Sequence, residues 1–122
     1  YLYRAGGLYQ MSRDHSLVQE LLDQRLIEAH EAGQHPRRHV ITRAVGADIV
    51  LELDQILFSL QPDDLLLLCS DGLYCELDAD TILGVLAQPF SCEHKVNQLI
   101  EQALDRGARD NVTVNLIEVY AA

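Results

Sequence analysis

Basic residues are scarce in this chain. Nine Lys and Arg stand against 19 Asp and Glu, a formal net charge of -10 over 122 residues. A surface of that sign cannot neutralise a phosphate backbone, which argues against a nucleic-acid partner, and it is repelled by anionic membranes. No apolar run approaches the ~18 residues that span a bilayer, and no signal peptide is visible. Cysteine is also sparse. Cys69, Cys75 and Cys92 cannot all pair, and there is no Cys-x-x-Cys. They read as reduced thiols of a cytoplasmic protein, with Cys69 and Cys75 as small buried hydrophobes. Repeats and low-complexity linkers are lacking. So is an initiator Met: the chain opens in what reads as mid-strand, as a fragment of a longer protein would.

What is present suffices for one small domain with a core, since 48% of residues are hydrophobic and 23% charged. Tyr1–Met11 reads as a hairpin around Ala5-Gly6-Gly7. Ser16 and Gln19 have the spacing of a capping box, with Leu17, Val18, Leu21 and Leu22 on one face, which predicts a helix over about 17–24. A second short helix is expected over about 26–33, stopped by Gly33. His35-Pro36 begins a loop. Ile49–Leu53 and Gln55–Leu60 are strand candidates, followed by a turn at Gln61-Pro62-Asp63-Asp64. Helices are predicted from Ala79 to Ala87, capped by Asp78, and from Cys92 to Asp105, capped by Ser91 and ended by Gly107. Val112–Tyr120 is a closing strand. The order of elements defines an α+β fold.

Two stretches carry the chemistry. Leu65-Leu66-Leu67-Leu68-Cys69 reads as a strand buried on both faces, running into Ser70-Asp71-Gly72, where Gly72 permits a tight turn. A carboxylate there needs a metal, an arginine or solvent; a plain turn aspartate is the simplest account of Asp71 alone. Further on, Asp110 follows Gly107-Ala108-Arg109 at the mouth of the last strand. If the two strands are neighbours, Asp71 and Asp110 converge, and oxygen ligands of this kind suit Mg2+ or Mn2+.

The series Asp14-His15-Ser16, His35-Pro36, Thr42-Arg43-Ala44-Val45-Gly46, Leu68-Cys69-Ser70-Asp71-Gly72-Leu73 and Gly107-x-x-Asp110-Asn111-Val112-Thr113-Val114 resembles the bacterial type 2C (PPM) metal-dependent protein serine/threonine phosphatases, along essentially all 122 residues. The resemblance implies the C-terminal half of that catalytic domain, part of a four-layer α-β-β-α sandwich of antiparallel sheets with flanking helices. It implies a flap-like subdomain over about residues 14–42, and Asp71 and Asp110 as ligands of one metal of a binuclear Mn2+ or Mg2+ centre. The implied chemistry is metal-assisted hydrolysis, in which a metal-activated water attacks phosphorus in line. The implied substrates are phosphoserine and phosphothreonine proteins, served by a cognate kinase system.

Departures from the pattern bear on activity. The family's Asp-Gly-x-Gly-Gly motif, its upstream acidic residue and its phosphate-binding arginine have no counterpart here, because Gly6-Gly7 follows Ala5. No catalytic residue is therefore assigned within the chain, and alone it is expected to be inactive. The alternative is a non-catalytic, phosphatase-like binding or regulatory module. A phosphoacceptor domain using Asp71 fits less well, since that fold alternates strands and helices in a parallel sheet. His35 and His39 read as loop histidines rather than zinc ligands, Asp14-His15 as a structural element, and Arg37 and Arg38 as solvated. Arg43 receives no role. Sheet edges left open by a missing half would favour dimerisation or strand exchange.

Overall fold

The computed structural model describes residues 1–121. Ala5 and Gly6 both hold positive φ, 49° and 80°, the combination that a two-residue type I′ hairpin requires. The turn joins β1 (Leu2–Arg4) to β2 (Gly7–Tyr9), so the predicted hairpin forms and Gly7 belongs to its second strand. With β3 (Leu65–Cys69) and β4 (Val114–Glu118) it makes an antiparallel sheet in the order β2-β1-β3-β4. Tyr3 pairs with Leu65, and Leu67 and Cys69 pair with Leu116 and Val114.

This register sorts the side chains by face. Leu65 and Leu67 point into a core shared with Leu73, Leu77, Ile82, Val85, Leu86, Leu99 and Ala103, and Tyr3, Leu8, Cys69, Val114 and Leu116 pack against it. The helices α4 (Ala79–Leu86) and α5 (Cys92–Asp105) close as predicted, with Asp78 and Ser91 accepting from the backbone N–H groups of Thr81 and His94. On the other face Leu68 and Ile117 stand exposed. The expectation that β3 is buried on both faces is therefore corrected: its continuous leucines cover one face with core and leave the other half-open. Cys75 is likewise exposed rather than buried. Leu73 and Leu77, one turn apart, take the core side, and Cys75 between them points away.

Two compact units make up the chain, one of Tyr1–Met11 with the chain from Phe58 onward, the other of Ser12–Leu57. In the second, Ser16 Oγ accepts from the N–H of Gln19 at 3.2 Å and starts α1 (Leu17–Asp23). The capping box is only half formed, because the Gln19 amide donates to Asp23 instead. Helix α2 is shorter than expected, Ala29–Ala32, and Gly33 keeps ordinary right-handed φ. An isolated bridge pairs Ser16 with Ile41. Neither strand predicted over 49–60 forms. Those residues are irregular and exposed, with Ile49, Val50, Leu53 and Leu57 in the open. Apolar, β-branched composition yields a strand only where a neighbour completes the ladder, and no described strand pairs with them.

One ion pair ties the hairpin to the entry of β3. Arg4 donates from Nε and Nη2 to the two carboxylate oxygens of Asp64 at 2.8 and 2.7 Å, and the N–H of Gln61 donates to Oδ2 at 2.8 Å. Asp64 is 1% exposed. Hydrogen bonding from Arg4, foremost, lowers its pKa from 3.8 to about 2. Because the folded value lies below the unfolded one, the pair's stabilisation is complete above pH ~4 and is lost as pH falls toward 2. Acid unfolding followed by tyrosine circular dichroism should show a component in that window, and Arg4→Gln should move it to higher pH. An unchanged acid midpoint in Arg4→Gln would show that Asp64 does not control it.

Candidate metal centre

Because β3 and β4 are antiparallel neighbours, the end of β3 and the start of β4 lie at the same end of the sheet. Asp71 leaves the first and Asp110 precedes the second. The contact between the two segments is dense. The backbone N–H of Ser70 donates to the carbonyl of Thr113 at 3.0 Å. The Ser70 hydroxyl donates to the carbonyl of Asn111 at 3.0 Å and accepts from the N–H of Thr113 at 2.9 Å. A single serine thus uses its backbone and both capacities of its hydroxyl to extend the β3–β4 pairing beyond the last registered residues.

Gly72 is fitted into this junction. The chain after Ser70 enters a single helical turn, α3 (Asp71–Tyr74), not the tight glycine turn expected from the sequence. Gly72 is needed for a different reason. It is buried, and a Cβ there would lie 2.9 Å from the carbonyl carbon of Asn111 and closer still to its oxygen. The two acidic motifs are therefore in backbone contact through residues adjacent to each aspartate.

Both carboxylates are exposed. No Lys, Arg or His pairs with either among the described residues. The N–H of Asn111 donates to Oδ1 of Asp110 at 2.7 Å, which orients that side chain. The two segments are clasped together, and each brings a carboxylate with no cationic partner among the described residues, the donor type that suits a hard divalent cation. Among the described residues, no group of three or more His, Cys, Asp or Glu is placed to hold a metal, so the set is partial.

Beside it, Glu76 just beyond α3 meets the 106–109 segment. Arg109 donates from Nε to Glu76 Oε1 at 2.9 Å, and this bond, before other causes, holds the Glu76 carboxyl below its ordinary pKa. Sequence reasoning assigned no role to Ser70, Glu76 or Arg109. Their partners lie 30–43 residues away in the chain, and only the Ser-Asp and Arg-Asp adjacencies hinted at them. In the Ser12–Leu57 unit, Asp54 gathers His15 Nε2 at 2.6 Å and Arg43 Nη1 at 3.1 Å. A cavity of about 800 Å3 in that unit is lined by Arg13, His15, Thr42 and Arg43 but by neither Asp71 nor Asp110. Its arginines are already paired, Arg13 with Asp23 and Arg43 with Asp54 and Glu52.

The sheet with helices on one face is similar to the fold of solved bacterial serine/threonine phosphatases, one of them a PPM phosphatase from Mycobacterium smegmatis, and the chain is similar in sequence to bacterial serine/threonine phosphatases. It is 37% identical over 118 residues to the serine/threonine phosphatase Stp of Listeria welshimeri, covering 97% of this chain and 47% of that protein. Among solved structures, the Mycobacterium tuberculosis phosphatase PstP/Ppp superposes with a TM-score of 0.93 at 37% identity, covering 99% of this chain and 51% of that one. The catalytic domain of PstP in complex with two manganese ions superposes with a TM-score of 0.87 at 36% identity, covering 99% and 49%. The chain spans about half the length of the Listeria phosphatases it matches and 23% of the Mycobacterium tuberculosis phosphatase PstP. No protein-family model matches it.

Proposed function

We propose that this chain is the C-terminal half of a PPM phosphatase catalytic domain and supplies two metal ligands, Asp71 and Asp110, to a binuclear Mn2+ or Mg2+ centre. The observation that carries the proposal is the Ser70 clasp, which brings both aspartate-bearing segments to one sheet end in a chain homologous to a manganese-bound phosphatase. When bound, the metals supply an activated water and neutralise phosphoryl oxygens. The chain's own part is to present the two carboxylates, with Asn111 orienting that of Asp110 through its N–H. The whole protein's substrates are phosphoserine and phosphothreonine proteins, phosphorylated by a cognate serine/threonine kinase in the cytoplasm. The Ser12–Leu57 unit, which contains residues 14–42, takes the part of the flap.

The 122-residue chain is proposed to be inactive alone, because two carboxylates leave most of the coordination shell of Mn2+ to water. Mn2+ binding, read by paramagnetic broadening of amide signals, should centre on Gly72 and Asn111 and vanish in Asp71→Asn and in Asp110→Asn. Broadening unaffected by both substitutions would overturn the ligand assignment. Asp71-dependent turnover of p-nitrophenyl phosphate by the isolated chain would overturn its inactivity. Strand β4 lies at a sheet edge and offers a dimerisation surface; concentration-independent elution as a monomer would count against that use.

A further inference from the structure

We propose that Glu76 and Arg109 are positioning residues for the metal-binding edge: they hold the Asp110 loop at a set distance from Asp71 without themselves meeting the metal. The inference rests on the reading of Asp71 and Asp110 as ligands.

Asp110 lies in the connection between α5 and β4, where Gly107 and Ala108 both take positive φ, 111° and 30°. That stretch belongs to neither a helix nor a strand, so its shape depends on side-chain ties. Both sequence neighbours of Asp110 are tied, and both ties run to the segment that carries Asp71. On one side, Asn111 is held through its carbonyl by the Ser70 hydroxyl. On the other, Arg109 donates to Glu76 Oε1 from Nε at 2.9 Å and from its backbone N–H at 3.4 Å. Arg106 adds a strand to the same anchor, donating to the Glu76 carbonyl at 3.0 Å and to the Thr81 hydroxyl at 3.2 Å.

The anchor is the acid rather than the arginine. The Glu76 side chain is 7% exposed, that of Arg109 75%. Glu76 is set between Leu73 and Leu77, which are 0% and 1% exposed in the core, so the loop is fastened to a segment anchored in the core. Asp71 opens the α3 turn that leads into this anchor. The result is a short frame in which Ser70 grips one end of the Asp110 segment and Glu76 the other. A ligand carboxylate held in this way loses less conformational freedom on meeting a cation.

Charge alone makes the opposite prediction for one variant. A cationic side chain next to a metal ligand disfavours a second cation, so removing it should tighten metal binding if Arg109 acts only through its field. If Arg109 acts by positioning, removing it loosens binding. The sign separates the two.

The test titrates Mn2+ into the 122-residue chain and reads amide broadening at Gly72 and Asn111, with metal-free hydrogen exchange at the Asn111 amide as a second readout. Arg109→Gln and Glu76→Gln are each expected to weaken Mn2+ binding about tenfold, as loss of an outer tie to a metal ligand does, and to speed Asn111 exchange. Arg109→Lys, which keeps the charge but not the planar fork, should not restore affinity. Because Arg109 is exposed, its substitution is readable even if Glu76→Gln perturbs folding. Mn2+ affinity equal to or tighter than that of the unsubstituted chain in Arg109→Gln would overturn the proposal, as would faster Asn111 exchange without any loss of affinity. Asp71→Asn separates the layers. If it leaves broadening intact, the ligand reading itself fails. If it abolishes broadening while Arg109→Gln does not weaken binding, only the positioning role fails.

Discussion

Gly72→Ala is expected to cost about 3 kcal/mol, the upper part of the range for an extra methyl forced into a packed site. In an ordinary helical turn the same substitution would stabilise by about 1 kcal/mol, because alanine loses less backbone freedom. Here the sign reverses. The added methyl would press on the carbonyl carbon of Asn111 at 2.9 Å and harder on its oxygen. Both are backbone atoms, and that carbonyl is already held by Ser70. Relief requires α3 to separate from the 110–113 segment, which breaks the Ser70 clasp. The measurement is urea denaturation alongside Mn2+ titration. A Gly72→Ala chain with the original midpoint would show that the junction yields at little cost.

Leu99→Ala should remove roughly 2–5 kcal/mol. Leu99 is 0% exposed on the inner face of α5, in the same cluster as Leu67 of β3 and Ile82 and Leu86 of α4. Truncation opens a void where strand and helices meet, and the surrounding side chains are too constrained to fill it. Against a total of about 5–15 kcal/mol for a typical domain, the loss is large. Leu104→Ala is the control. Leu104 lies on the same helix, yet it is 58% exposed, and its truncation should change stability by only about 0.5 kcal/mol. Similar losses at both positions would refute the assignment of the inner face.

Local signals carried much of this architecture. Ser91 and Asp78 mark the starts of α5 and α4, and the Ala5-Gly6 pair marks the hairpin, because capping and turn chemistry act over a few residues. The strands foreseen at 49–60 did not form, since a strand depends on a neighbour that its own composition cannot supply. The acidic site was legible as two motifs, Asp71 and Asp110, each at a strand end. What joins them was not. Gly72 looked like a turn glycine, and only the approach of Asn111 from 39 positions downstream explains it. Arg4 and Asp64 gave no local sign of their pairing either, being 60 residues apart.

The pairing of Cys69 with Val114 is also a measure of length. If β4 slipped by one position along β3, Val114 and Leu116 would trade sides with Asn115 and Ile117, placing an amide in the core. The same slip would carry Asp110 about 3.4 Å along the sheet relative to Asp71, more than the ~2.1 Å length of a Mg2+–oxygen bond. The apolar alternation of β4 thus acts as a ruler for the spacing of the two aspartates: core packing rejects the slipped register.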